Sequence, residues 1–403
     1  MKIKKIMASL LAVSVMTVGI PAIKSVSSDL FITANAGLLN EKYQTDDLEL
    51  NYKELEDGTI EILKYISSSS NDIEIPTNIN GKKVTSIGYF AFSGCSDITS
   101  VTIPDSITNI GYCAFRHCTN LTKINIPNGV TSIGHEAFYN CSSLTSVTIP
   151  DSVTSIKDNA FCNTPWLKNK QKENPLVIVN GLLIDGTACS GDIVIPDTVT
   201  DICDAAFLDC SGITSITFPD SVKNIGNISF AYCTSLTSIT IPYSVKNIGY
   251  GAFRSCKKLK SITILSLECS ISEDSDTFAD SYDYDNETYI YTGVFNCYAD
   301  STAETYAKKH DFNVEIIPFF LGDVTMDGII TGSDATRALQ AYTLLSSGKD
   351  HGLTDIQFRA ADVTGDGIIT GSDATIILNY YTYLSSVNAD ENPLSMVEWM
   401  KAQ

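Results

Sequence analysis

The 403-residue sequence is poor in the side chains that catalysis and metal centres most often use. It holds only four histidines and two tryptophans. His117, His135, His310 and His351 are scattered, and no two cysteines stand at C-x-x-C spacing. No H-E-x-x-H, nucleophile-elbow or phosphate-binding glycine pattern occurs, so zinc, redox and acyl- or phosphoryl-transfer chemistry lack their usual residues. The chain therefore reads as a non-enzyme. Paired carboxylates for glycoside hydrolysis can be built on any fold, which keeps a polysaccharide hydrolase as an alternative. Positive charge is also scarce, with 27 Lys and Arg against 47 Asp and Glu and a net charge of −20. A chain this acidic repels phosphate backbones and anionic membranes, which argues against nucleic acid as a partner.

Long apolar runs are confined to the start. Lys2, Lys4 and Lys5 precede an apolar stretch that ends near Pro21, and Ala34-Asn35-Ala36 offers an A-x-A cleavage site. The run is short for a membrane span. Residues 1–36 are expected to form a secretory signal, the alternative being an uncleaved anchor. Their removal takes away four lysines and one aspartate, which leaves a mature chain of net charge −23 with no membrane span.

From Ile75 onward the chain repeats every 23 residues. Pro104, Pro127 and Pro150 keep this beat, and Pro196, Pro219 and Pro242 resume it after a gap of 46. Phe92, Phe115, Phe138, Phe161, Phe207, Phe230 and Phe253 follow the same period. Leu144, Val147 and Ile149 carry the L-x-x-L-x-L inward pattern. One such coil cannot bury its apolar side alone, but stacked coils bury one another. The repeats resemble the BspA-type leucine-rich family over residues 51 to 265, which implies a mainly β solenoid. Cys95, Cys118, Cys141, Cys210, Cys233 and Cys256 share one repeat position. An even ladder of this kind favours buried thiols turned toward the neighbouring coil over disulfides.

The doubled period holds a polar, basic stretch, 164–175, and then two apolar runs around Asn180-Gly181, a hairpin signal. This insertion is expected to project from one edge of the solenoid. Trp166, near Lys157, Lys168, Lys170 and Lys172, is either a surface contact or a plug at the junction, and packing is the favoured reading. Residues 51–64 read as a capping hairpin turning at Asp57-Gly58, 301–309 as a helix capped by Ser301, and 312–317 as a last strand. The acidic run 273–285 reads as a solvated loop. Ser100/Thr102, Lys123/Asn125, Ser146/Thr148, Ser215/Thr217, Ser238/Thr240 and Ser261/Thr263 are predicted to line the concave sheet. That surface is rich in hydroxyls and lacks aromatic platforms.

Near the C-terminus one stretch occurs twice, 39 residues apart: Asp323-Val-Thr-Met-Asp-Gly-Ile-Ile-Thr-Gly-Ser-Asp334 and Asp362-Val-Thr-Gly-Asp-Gly-Ile-Ile-Thr-Gly-Ser-Asp373. Oxygen donors stand at loop positions 1, 3, 5 and 12 (Asp323, Thr325, Asp327, Asp334; Asp362, Thr364, Asp366, Asp373), with Gly328 and Gly367 at the sharp turn. Ile329 and Ile368 would offer backbone carbonyls, and Thr331 and Thr370 would act through water. Two such loops predict two calcium ions, one in each. An apolar helical face follows each loop, with Ala335, Ala338, Leu339, Tyr342 and Leu345 matched by Ala374, Ile377, Leu378, Tyr381 and Leu384.

Over residues 321 to 386 this segment resembles a dockerin, although Thr325 and Thr364 stand where Asn or Asp is usual. The resemblance implies a small all-α module with two EF-hand-like calcium loops that binds a cohesin domain of a scaffoldin. It places partner contacts at Gly332, Ser333, Gln340, Gly371, Ser372 and Asn379. Phe319 and Phe320 with Trp399 are expected to clasp the two ends of the module. The domain plan is a signal at 1–36, a capped solenoid at 37–316 and a dockerin at 317–403. The expected function is that of a secreted binding protein, docked on a cellulosome-type assembly at the cell surface. Its repeats would present a surface for protein recognition or adhesion, or alternatively for glycan targeting.

Overall fold

A computed structural model describes residues 41–402, apart from 275, 284–287, 318–319, 327–328 and 388–392. The expected signal, residues 1–36, lies outside the described residues. The solenoid starts with the antiparallel strands Glu41–Gln44, Leu48–Glu54 and Ile60–Ser68, so the predicted capping hairpin is present with one strand more. Ile60–Ser68 then pairs in parallel with Lys82–Ile87. That strand passes a ladder to Asn109–Ile110, Ser132–Ile133 and Ser155–Ile156, one 23-residue step at a time. On another side of the coils, Asp72–Glu74, Ser100–Thr102, Lys123–Asn125 and Ser146–Thr148 form a second parallel sheet.

Between the sheets the phenylalanines stack. Centroids of Phe92, Phe115, Phe138 and Phe161 are 5.0, 5.3 and 5.3 Å apart, and those of Phe207, Phe230, Phe253 and Phe278 are 4.9, 5.2 and 5.4 Å apart. The spacing follows from the 4.7–4.9 Å separation of paired strands, which sets the rise of each coil. Phe278 extends the row past its last regular member, and the sequence period alone did not reveal it. The coil turns bring main chains into contact. A Cβ on Gly134 would lie 2.6 Å from the backbone of Gly111, so only glycine fits there.

All twelve cysteines are free. Thiols of Cys118, Cys141, Cys233 and Cys256 donate to the carbonyls of Phe92, Phe115, Phe207 and Phe230 at 3.0, 3.1, 3.3 and 3.2 Å. Burial pushes the Cys210 and Cys256 thiols up to about 12, far from the reactive thiolate range.

The doubled period does not project. Helix α1, Pro165–Glu173, is capped by Thr164 and lays Trp166 against Phe161, with ring centroids 4.7 Å apart. Trp166 is only 7% exposed, so it is a plug. The hairpin Val177–Val179/Leu182–Asp185 is held down by Asn180, whose amide donates to the carbonyls of Pro150 and Val153. Its second strand starts a new ladder with Asp201–Ile202, Asn224–Ile225, Asn247–Ile248 and Ser270–Ile271. The hairpin therefore caps a second solenoid half, and two apolar cores meet at this seam.

Part of the acidic run is buried, against expectation. Asp276 is 3% exposed beside Arg254, and Asp280 accepts hydrogen bonds from Thr292 and Ser281. The far end closes with α2, Thr302–Lys309, and the strand Asn313–Ile316, close to the predicted bounds.

Three outcomes follow. Thermal unfolding should be unchanged by reductant, and the nine buried thiols should react with a thiol reagent only after denaturation, unlike the partly exposed Cys95, Cys162 and Cys203. Trp166→Ala should cost about 3–5 kcal/mol in urea titration, the usual range for emptying a buried aromatic site. His135 is held 2.7 Å from Asp158 and stacks on Tyr112. Burial pulls its pKa down, but Asp158 and Glu136 outweigh this and raise it. Its contribution to stability is complete below about pH 6.5 and is lost as pH rises through the raised value. His135→Gln should flatten that part of the profile of melting temperature against pH.

Candidate metal and docking module

The C-terminal module contains α3, Gly332–Ser346, α4, Asp355–Ala361, α5, Gly371–Ser386, and α6, Met396–Ala402. Helices α3 and α5 each begin directly after one of the twin loops and pack against each other. Thr331 and Thr370 cap them. In both cases the aspartate three residues on returns the contact, which makes two identical capping boxes.

Those aspartates, Asp334 and Asp373, are fully buried. Oδ1 of Asp334 accepts from the amide and hydroxyl of Thr325 at 2.8 and 2.9 Å, and Oδ2 from those of Thr331 at 2.8 and 3.1 Å. Oδ1 of Asp373 repeats the pattern with Thr364, both at 3.1 Å, and Oδ2 with Thr370 at 2.9 and 2.8 Å. Burial pushes the Asp373 carboxyl up, but these hydrogen bonds outweigh it and hold the group below the usual carboxylate range. No cationic side chain pairs with either carboxylate among the described residues.

The remaining predicted ligands are partly assembled. The Thr364 hydroxyl lies between two carboxylates, 3.3 Å from Asp362 Oδ1 and 3.1 Å from Asp373 Oδ1. Asp362 also accepts from the amides of Gly365, Asp366 and Gly367, which curls the loop around it. Gly367 adopts φ 81°, in the left-handed region that the tight turn needs. Asp366 is exposed and accepts from the Ile368 amide. In the first loop Asp323 is buried, while Asp327 and Gly328 lie outside the described residues. Ile329 and Ile368 point outward at 65% and 60% exposure, as suits residues that would contribute only main-chain oxygen. Among the described residues no three carboxylate, imidazole or thiol groups converge on one point. The donor set nevertheless fits a hard cation, since it is all oxygen and each loop holds a buried carboxylate with no positive side chain beside it.

The helices are rotated relative to the predicted apolar face. Ala335, Ala338 and Ala341 are buried on α3, and Ala374, Ile377 and Tyr380 on α5. Leu339, Tyr342, Leu378 and Tyr381 were expected inside, yet they are 48%, 39%, 48% and 38% exposed. Packing the helices through small alanines brings the two axes close and turns the larger side chains outward. Ser333, Gln340, Ser372 and Asn379 are exposed and Gly332 and Gly371 half-buried, so all six predicted contact positions reach the surface. The aromatic clasp is not formed as expected. Trp399 stacks on Tyr383 and packs on Tyr380, while Phe320 is 49% exposed and Phe319 lies outside the described residues. Met396 closes the module instead, seated so tightly on Gly322 that an added Cβ would lie 2.3 Å from its methyl.

Two family models match the chain along the divisions described above. The family model for the BspA type leucine rich repeat region matches residues 59–179 and 186–295, in six copies. The two blocks meet at the seam hairpin. The model for the dockerin type I domain matches residues 321–381. No curated protein matches the chain. Among solved structures, a leucine rich repeat protein of T. pallidum is 20% identical over 68% of this chain and 98% of its own, with a TM-score of 0.26. A leucine-rich repeat protein from Bacteroides capillosus is 32% identical over 31% of this chain and 93% of its own, with a TM-score of 0.28. One from Eubacterium ventriosum is 19% identical over 65% of this chain and 80% of its own, with a TM-score of 0.34. The chain belongs to the BspA-type leucine-rich-repeat family and carries a dockerin type I domain behind its solenoid.

Proposed function

We propose that this is a secreted, non-catalytic binding protein that docks onto a cohesin of a scaffoldin in a calcium-dependent way. The solenoid, 37–316, would then be presented for protein recognition or adhesion, and 317–403 would form the plug. The observation that carries this reading is the duplicated site, in which two buried aspartates have the same four hydrogen bonds and cap two helices that pack on each other. One ion per loop would be held by Asp323, Thr325, Asp327, the Ile329 carbonyl and Asp334, and by Asp362, Thr364, Asp366, the Ile368 carbonyl and Asp373. A bound ion fixes the loop and, through the shared aspartate, the first turn of the helix that follows, so binding energy is also folding energy.

The docking surface is argued from the exposed faces of α3 and α5. Gly332, Ser333 and Gln340 on one helix, and Gly371, Ser372 and Asn379 on the other, flank the outward pairs Leu339/Tyr342 and Leu378/Tyr381. Small residues near the loop allow close approach, and the apolar pairs supply area to bury. Because the copies match, either helix can face the partner, which gives two docking orientations.

Titration of the full chain with purified cohesins is the test, in calcium and in chelator. Binding should appear only with calcium and vanish in Asp334→Ala/Asp373→Ala. Calcium at about 100-fold over its Kd should add about 2.7 kcal/mol per loop, or about 5.4 kcal/mol for both, to the stability of the module. Changing Ser333 and Gln340 alone should alter cohesin affinity by a few-fold at most, whereas changing Ser333, Gln340, Ser372 and Asn379 together should abolish it. Cohesin binding that persists in chelator would refute the reading.

A further inference from the structure

The coil at the seam is too short. In regular coils, thirteen positions separate equivalent residues of the two ladders, as from Ile110 to Lys123 and from Ile202 to Ser215. In the seam coil Leu183 pairs with Ile202 and Asp192 with Ser215, yet they are only nine apart. Four residues are missing, and with them the turn that carries the alanine and phenylalanine.

That turn has a fixed task elsewhere. Three of its amides, at every second residue, donate to three carbonyls of the next coil. Cys113, Phe115 and His117 donate to His135, Ala137 and Tyr139 at 2.9, 2.8 and 2.8 Å. Glu136, Phe138 and Asn140 donate to Asp158, Ala160 and Cys162 at 3.1, 2.7 and 3.0 Å. The next members are Asn159, Phe161 and Asn163. Asn159 and Asn163 keep the left-handed φ of the row, 56° and 62°, against 52° and 57° for Glu136 and Asn140. The amides of Asn159 and Phe161 have no hydrogen-bond partner among the described residues, and that of Asn163 has only the Cys162 sulfur. On the opposite wall the Ala206 carbonyl is taken by the Gly186 amide at 2.7 Å. Its neighbours in the row are open: the Asp204 carbonyl has no donor among the described residues, and that of Leu208 has only the Cys210 thiol at 3.9 Å.

A cavity of 240 Å³ lies between these walls. Its core side is already closed, because Trp166 covers Phe161 and Gly186 lies flush on Phe207, where a Cβ would sit 2.1 Å from the ring. An occupant therefore needs no large apolar side chain. It needs acceptors at strand-like intervals facing one wall and donors facing the other. Polypeptide main chain has that alternation, and it is what the absent turn provides in the regular coils. A sugar or polyol would satisfy single groups without matching the interval.

We propose that the seam is a binding site for an extended segment of another polypeptide, with small side chains, whose main chain completes the interrupted turn ladder. Lys157, 3.9 Å from Asp204 and largely exposed, spans the mouth and can swing aside.

The test uses full-length protein labelled for amide NMR and the peptide acetyl-Ser-Ala-Ser-Ala-Ser-amide at millimolar concentration. Shifts should concentrate at Asn159, Phe161, Asn163 and residues 204–208. The same peptide N-methylated at alternate amides should bind at least tenfold more weakly, and glucose should produce no shifts. Leu208→Trp, which fills the cavity, should erase the response with the melting temperature retained. If that variant unfolds, the peptide series on the unaltered protein still decides. No shift with the parent peptide, an equal response to the N-methylated one, or a response to glucose alone would overturn the proposal.

Discussion

No coil of this solenoid can satisfy its own main chain. Each tight turn sends its amides to the coil that follows, and amides at the strand edges, such as those of Thr108, Gly111 and Thr122, go back to the coil before. Everything else is subordinate to that dependence. The distance at which amide and carbonyl meet sets the rise per coil, and the rise places one phenylalanine ring on the next. It also explains why Glu136, Asn140 and Tyr232 adopt left-handed backbone that non-glycine residues usually avoid. Each gives its amide to the neighbouring coil at 3.1, 3.0 and 2.8 Å, which offsets the local strain.

The 23-residue beat made much of this legible because a single period encodes both sheets, the phenylalanine row and the inward cysteines. The seam was not legible, for an arithmetic reason. The hairpin turning at Asn180-Gly181 adds four residues before Leu182 takes the ladder, and the short coil after it removes four. The two changes cancel, so Pro150 and Pro196 stay 46 apart and the region reads as one doubled period. Burial of Asp276 and Asp280 was equally hidden. Their partners, Arg254 from the preceding coil and Thr292 just past the antiparallel pair Ser281–Asp283/Thr288–Ile290, are recorded by no pattern of the 23-residue period.

In the C-terminal module the loops were readable and the helix orientation was not. Alanines at 335, 338 and 341 carry little weight in an apolar count against leucine and tyrosine, yet it is their small size that lets α3 and α5 approach. Thr325 and Thr364 look in sequence like weak neutral ligands. In the fold each donates both its amide and its hydroxyl to the aspartate nine residues on. A single carboxylate is thus shared between the closing of a loop and the start of a helix. This is why loop order and helix order are expected to rise and fall together.

The cap at the seam means that the solenoid is two arrays in series, each with its own opening hairpin. Whole coils can be gained or lost inside either array without disturbing the register of the other, since the boundary does not transmit the turn ladder. Such a protein can change the length of its reach on one side while the opposite side keeps its shape. The break in periodicity is then a joint at which the two halves vary independently.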